Sequence, residues 1–506
     1  MLQLDGATLT LTDLERVADG DSDVVVAESS RKRMEASRRV VNDLLRAGRT
    51  AYGINTGFGK LSDVRISNQE LSQLQRNLVM SHACGIGPAL SAREVRALLL
   101  LKANGLATGY SGCRPELADL LLAMLRHNLL PVIPEKGSVG ASGDLAPLAH
   151  LALAMIGLGE VDFGGRRVAA SEALREAGLS AMQLQAKEGL ALINGTQFMT
   201  AVAGLAFIEA ERLATTGDLV GGMTADALLC TDVAFDPRIQ AARGHPGQKR
   251  AAMTLAKMLA GSEIRESHRQ CPRVQDAYSI RCMPQVHGAI HDHLSHLRQV
   301  LTTELNASTD NPLVFAEDGQ ILSGGNFHGH PIATAADFLA ILVTQLANMS
   351  ERRIAFMMDP ALSGLPAFLT KASGLHSGFM IAQVVAASLV SENKVLSHPA
   401  SIDSIPTSAN KEDFVTMGAA AAVKARQAAH NAAAVLGIEL LCACQAIELR
   451  APLKPGPAAA AIFSLVRRRV PFLEDDRILA PDLQTAQRLI LRGELLDRVQ
   501  HELPTA

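Results

Sequence analysis

From about residue 200 onward the sequence is dominated by long runs in which Ala and Leu recur with helical spacing. They are Gln197 to Leu213, His287 to Leu305, His330 to Met357, and an alanine-rich stretch from about Lys411 to Arg450. Runs of roughly 20 to 40 residues exceed the ordinary globular helix, and rods of that length bury their apolar faces against one another. The expected fold is therefore mainly α, a bundle of long parallel and antiparallel helices. Composition agrees with this. Hydrophobic residues make up 48% of the 506 residues but aromatics only 3%, with no Trp, so the core has to be assembled from Ala, Leu, Val, Ile and Met. The most membrane-like stretch, Pro331 to Ser350, carries Asp337, Gln345 and Asn348 and reads as a helix buried in the bundle rather than in lipid.

The first 200 residues are more broken. A β-hairpin is expected from Leu2–Leu4 and Thr8–Thr10 around Asp5-Gly6, followed by a capping box at Thr12-Asp13-Leu14-Glu15. Ser91-Ala92-Arg93-Glu94 repeats the box before the apolar run Val95 to Leu106, and Arg114 to Leu130 has amphipathic helical spacing. Two further hairpins are expected, Val161 to Val168 around Gly164-Gly165 and Leu313 to Leu322 around Asp318-Gly319. No repeat of fixed period and no low-complexity linker interrupts the chain.

A formal charge of −3 gives no reason to expect nucleic acid or an acidic membrane as partner, whereas a small zwitterionic substrate suits it. The seven cysteines form no CxxC pair, so neither a disulfide framework nor a zinc site is indicated, and a reducing, cytoplasmic setting is expected. The start, Met-Leu-Gln-Leu-Asp-Gly, lacks the basic residues and apolar run of a signal peptide. His291-Asp292-His293 with His296 resembles a metal cluster only superficially. On a helix, residues two apart point about 200° away from each other, so only His293 and His296 share a face. Surface histidines, with no metal, are expected there.

The densest chemical signal is Gly137-Ser138-Val139-Gly140-Ala141-Ser142-Gly143-Asp144-Leu145-Ala146-Pro147-Leu148-Ala149-His150. Gly143 has no Cβ to shield its backbone nitrogen, Ala141 is small, and Ser142 carries a hydroxyl that can leave as water. Such a loop can cyclise on itself. A serine-nucleophile elbow does not fit, because Asp144 stands where that motif needs Gly. A bare Ala-Ser-Gly is ordinary turn content. What distinguishes this one is its context and five further blocks in order: Tyr52-Gly53-Ile54-Asn55-Thr56-Gly57-Phe58-Gly59-Lys60, Leu78 to Gly85, Ile193-Asn194-Gly195-Thr196, Val274 to Cys282 with Gly324 to Gly329, and Ser408 to Val415. The first is no phosphate loop, since Leu61 follows Lys60.

Together these blocks resemble the aromatic amino-acid ammonia-lyase and aminomutase family over almost the whole chain. The resemblance implies that Ala141, Ser142 and Gly143 condense into 4-methylidene-imidazol-5-one (MIO), a self-made electrophile, with no external cofactor and with Asp144 assisting closure. It implies an MIO-bearing N-terminal domain over 1–200, a long-helix bundle with C-terminal helices over 201–506, and a homotetramer whose sites draw on several subunits. Tyr52 is then the base for the β-proton, Asn194 and Tyr278 lie beside the ring, Gln275 contacts substrate, Arg281 holds its carboxylate, and Phe327 walls the pocket. Arg suits that task because its planar fork donates two parallel hydrogen bonds. A phenol titrates near 10, so Tyr52 needs nearby positive charge or helix N-termini to work as a base.

Ser81-His82 is the pattern of the members that act on histidine, where others show His-Leu or Phe-Leu. An imidazole at His82 can hydrogen-bond a substrate imidazole that a phenyl ring would leave unpaired, at a cost of about 1–3 kcal/mol. Glu412 is likewise Glu in those members and usually Gln elsewhere, and a carboxylate can pair with imidazole or take a proton where an amide cannot. Lys411 departs from the family, which commonly has Gln there. The expected reaction is elimination of ammonia from L-histidine to give trans-urocanate. Tyrosine or phenylalanine lyases or aminomutases are the nearest alternative, and a non-catalytic helical scaffold a remote one. Whether the ring captures the amine or attacks the aromatic ring stays open at this level.

Overall fold

The computed structural model describes residues 1–61, 63–271 and 273–499. The chain divides into two compact units. The first comprises Met1–Ala206 with two returning segments, Arg298–Asp337 and Pro399–Lys424; the second comprises Phe207–Leu297, Phe338–His398 and Ala425–Ala506.

In the first unit, helices Leu11–Ala18, Glu28–Arg46, Ala92–Ala107 and Glu116–Arg126 pack around a core of Leu and Ala, with short strands at the margins. The Ser91 box forms as expected: its hydroxyl accepts from the Glu94 N–H, and the Glu94 carboxylate accepts from the Ser91 N–H at 2.8 Å. Both later hairpins form, Glu160–Phe163 with Arg166–Ala169 and Leu313–Phe315 with Gln320–Leu322. The Arg114–Leu130 run is helical over Glu116–Arg126 only; Asn128 turns left-handed (φ 51°) and Leu130–Pro131 joins a strand.

Two expectations at the N-terminus are overturned. Leu2–Leu4 pairs in parallel with Val24–Val26, not with Thr8–Thr10. The Asp5 carboxylate accepts from the N–H groups of Ala7 and Thr8, curling the chain locally where a hairpin would need it extended. The capping box lies two residues earlier than read: Thr10 caps, and Asp13 returns the bond to the Thr10 N–H. Asp substitutes for Glu in the return bond, which is why the pattern was displaced.

The long helices run Gln197–Ala227, Met283–Leu305, His330–Met358 and Gly418–Leu449. The last starts seven residues after Lys411, because Ser408, Ala409, Asn410 and Met417 all take positive φ. His330–Met358 and Gly418–Leu449 are long and apolar enough to cross a membrane, but their most apolar windows are 67% and 83% buried in protein. Alanines on successive turns, such as Ala425, Ala428, Ala432 and Ala433, are fully buried, and small side chains there let helices pack closely.

The second unit encloses a charged network. Arg353 and Glu439, both fully buried, pair through Nε–Oε1 (2.6 Å) and Nη2–Oε2 (2.8 Å). Asp218 accepts from His287 Nδ1 and His291 Nε2, each at 2.8 Å. Burial alone would raise the Asp218 carboxyl, but the two histidines hold it at about 2. His291 is thus a buried partner of Asp218, not a surface histidine; His293 and His296 are exposed as expected. Among the described residues no group of His, Cys, Asp and Glu has the arrangement of a metal site.

Candidate active site

The 137–144 loop is pinned from several sides within the first unit. The N–H groups of Thr416 and Met417 donate to the Val139 carbonyl, and that of Gly329 to the Gly140 carbonyl. The Asp144 N–H donates to the Gly195 carbonyl at 2.7 Å, and Asn194 Nδ2 to the Ser142 carbonyl at 2.9 Å. Gly143 takes φ 72°, and a Cβ there would collide with the Gly195 backbone. No other residue type fits so close a crossing.

Asp144 is fully enclosed at the N-terminus of helix Leu145–Met155. Burial pushes its carboxyl up to about 7, against hydrogen bonds from the Met199 N–H, the Ser138 hydroxyl and the Phe198 N–H. It thereby ties both ends of the loop to the start of helix Gln197–Ala227.

Ser142 opens into a cavity of about 350 Å³ whose lining includes Tyr52, His82, Asn194, Ser408 and Glu412. Its hydroxyl donates to Glu412 Oε1 at 2.7 Å, and Thr407 Oγ1 holds Oε2 at 2.7 Å. Glu412 is therefore aimed by the left-handed turn at Ser408-Ala409-Asn410, not by a helix. Consecutive non-glycine residues at positive φ are costly, and such strain concentrates where a side chain must be aimed. Sequence alone does not mark Thr407 and Ser408 as site residues, because nothing in the Ser-Ala-Asn run signals the turn.

His82 ends helix Leu71–His82, with Nδ1 2.9 Å from the Leu78 carbonyl. A carbonyl only accepts, so that nitrogen carries the proton and Nε2 is left as an acceptor. Burial lowers the imidazole's pKa, outweighing the Leu78 carbonyl and the Glu412 carboxylate, so the ring is neutral. Burial raises the Tyr52 phenol, with Glu412 adding to the rise and the Gly59 N–H opposing it. The expected positive support for a Tyr52 phenolate is thus not supplied among these neighbours: low dielectric and a carboxylate both favour the neutral phenol.

Gln275, Tyr278 and Arg281 belong to the second unit. Asp276 orders their loop by accepting from the Thr231 N–H and Arg273. Tyr278 is 71% exposed at the start of the short helix Tyr278–Arg281, with the Arg281 guanidinium 4.7 Å from its ring centre. Gln275 is exposed too, and Arg281 Nε is buried without a partner among the described residues. Phe327 is half-buried in the first unit and is not among the residues lining the Ser142 cavity.

The sequence matches the family described as Aromatic amino acid lyase over residues 9–468. The chain belongs to this family. It is 54% identical over 503 residues to histidine ammonia-lyase of Anaeromyxobacter dehalogenans, covering 98% of this chain and 99% of that one. To the enzyme of the same name from Myxococcus xanthus it is 52% identical over 497 residues, covering 98% of each. Among solved structures, histidine ammonia-lyase from Trypanosoma cruzi is similar with a TM-score of 0.93 at 41% identity, covering 99% of this chain and 96% of that one. Tyrosine aminomutase from Streptomyces globisporus is similar with a TM-score of 0.94 at 36% identity, covering 100% and 99%. The mainly helical architecture is the one these lyase-family structures share.

Proposed function

We propose that this lyase removes ammonia from L-histidine without oxidation, giving trans-urocanate, at a site built around a ring formed from Ala141, Ser142 and Gly143. The observation that carries the reading is one cavity holding Ser142, His82 and Glu412 together. Residues present fit the ring. Gly143 passes too close to Gly195 for any side chain, and Asn194, whose Nδ2 holds the Ser142 carbonyl, has a buried Oδ1 with no partner among the described residues. Once formed, the ring supplies an electrophile that makes loss of the substrate amine feasible.

The chain's own groups do the rest. His82 Nε2 accepts the substrate's imidazole N–H, and Glu412, freed from Ser142, pairs with the imidazole or takes a proton. Tyr52 takes the β-proton; because burial keeps its phenol neutral, the positive charge it needs comes with the substrate ammonium. Gln275, Tyr278 and Arg281 complete the site from another copy of the chain in a homotetramer, Arg281 holding the carboxylate and Tyr278 facing the ring, with Phe327 as a wall. The exposure of Gln275 and Tyr278, and Arg281 Nε without a partner among the described residues, support that assignment. Mixing Tyr52→Phe and Arg281→Met chains tests it: activity regained on mixing supports shared sites, and none regained counts against them.

An ultraviolet assay offering L-histidine, L-tyrosine and L-phenylalanine side by side decides the substrate. Urocanate from histidine alone is expected; a cinnamate-type product or a β-amino acid instead would replace this reading with the aromatic lyase or aminomutase one. Mass spectrometry of the peptide carrying 141–143 should find it lighter by two waters.

A further inference from the structure

We propose that Lys102 is a positioning residue for closure of the 141–143 ring, clamping the Asn194–Gly195 strap against the segment that cyclises. This rests on the reading above that the ring forms. Lys102 lies on helix Ala92–Ala107, is 2% exposed, and donates from Nζ to the Asn194 carbonyl at 2.8 Å, with Gln197 Oε1 more distant at 3.4 Å. Among the described residues it has no carboxylate in contact, whereas nearby Lys187 is paired with Asp310 at 2.7 Å. Burying an ammonium whose only hydrogen bonds are to backbone and amide oxygens is costly, and burial draws Lys102 down to about 8, with Asp310 and Asp144 opposing the fall from a distance. A hydrophobic residue would fill the space at less cost, so the amine answers a need of the strap.

That need is geometric. Closure joins the Gly143 nitrogen to the Ala141 carbonyl carbon. The Gly143 and Ser142 amide protons leave with the Ala141 oxygen as one water, and the Ser142 Cα proton and Cβ hydroxyl leave as the second. The turn must therefore be held compressed until the bond forms. The strap presses on it through the Asn194 amide at the Ser142 carbonyl and the Gly195 carbonyl at the Asp144 N–H. A strap transmits force only if it is itself anchored, and a charged hydrogen bond in a low-dielectric interior is about twice as strong as a neutral one.

The test reads dehydration of the 141–143 peptide by mass spectrometry during a pulse of synthesis, in Lys102→Met and, on the same helix, Asn104→Leu. Asn104 holds the Gly6 N–H and the Leu305 carbonyl, so its loss loosens the helix without touching the strap. Dehydration about tenfold slower in Lys102→Met, but not in Asn104→Leu, is expected. Turnover per dehydrated chain should stay within about twofold of wild type, because Lys102 does not line the cavity. Wild-type dehydration in Lys102→Met, or full dehydration with lost turnover, overturns the proposal. If Lys102→Met does not fold by circular dichroism, Lys102→Gln, which keeps a donor without charge, is read in the same way. An undehydrated wild-type chain is a different result: it removes the ring itself.

Discussion

At the scale of single residues, the site works through where protons are held. His82 is neutral and offers Nε2 as an acceptor, so under the proposed function replacing it with Leu leaves a substrate imidazole N–H unpaired in the cavity. His82→Leu should lower kcat/KM for L-histidine by about 5- to 150-fold, the equivalent of about 1–3 kcal/mol. Steady-state kinetics check this, and unchanged values would remove His82 from substrate recognition. Asp144 gives a second expectation. Its ordinary carboxyl value is 3.8 and burial raises it to about 7, so between those pH values the folded protein holds a proton that the unfolded chain has released. The stability this group contributes is therefore present below about pH 4 and is lost as pH rises toward 7. Melting temperatures of Asp144→Asn should fall less over that range than those of wild type. Asp226, raised to about 6 by burial, titrates in both proteins and cancels in the comparison. The residue types at the site were legible because the proposed cyclisation demands Gly and Ser in fixed order. The neutral Tyr52 was not, because its pKa depends on which groups surround it in space.

At the scale of elements, local signals were right where they were purely local. Ser91 and Glu94 close a reciprocal cap whose two bonds need only three residues of spacing, and it formed where read. Ser91→Ala should cost about 1 kcal/mol in urea unfolding without altering turnover, since neither Ser91 nor Glu94 lines the cavity. A loss of turnover alone would show that the Ser91 cap also sets the geometry of the cavity. Signals failed where a side chain competed with the backbone or where the partner was distant. Asp5 captured two N–H groups that a hairpin required, and Leu2–Leu4 found a parallel partner some twenty residues on. An alanine-rich run that begins at about Lys411 would put Glu412 in its first turn; the helix starts at Gly418, and the left-handed turn leaves Glu412 upstream, in the loop that meets Ser142.

At the scale of the whole molecule, the helical units rest on Ala and Leu packing, and the charges buried within it are consequential. Arg353→Met leaves Glu439 enclosed without its cation, and should destabilise the chain by about 3–5 kcal/mol in denaturant unfolding. Adding Glu439→Leu should recover much of that loss, because removing both charges removes the desolvation cost. A double variant no more stable than Arg353→Met would show instead that the Thr224 hydrogen bond to Glu439 matters as much.

By itself the sequence determined that the chain builds long helices, through the periodicity and small size of its apolar residues, and it singled out, through the order Ala141-Ser142-Gly143, the peptide units proposed to cyclise. Both are written in neighbouring residues. Only the tertiary structure decided that Glu412 meets the Ser142 hydroxyl across 270 residues, that His291 turns inward to Asp218, and that Lys102 reaches the Asn194 carbonyl. Those contacts join segments far apart in the chain, and no local spacing encodes a distance that packing alone fixes.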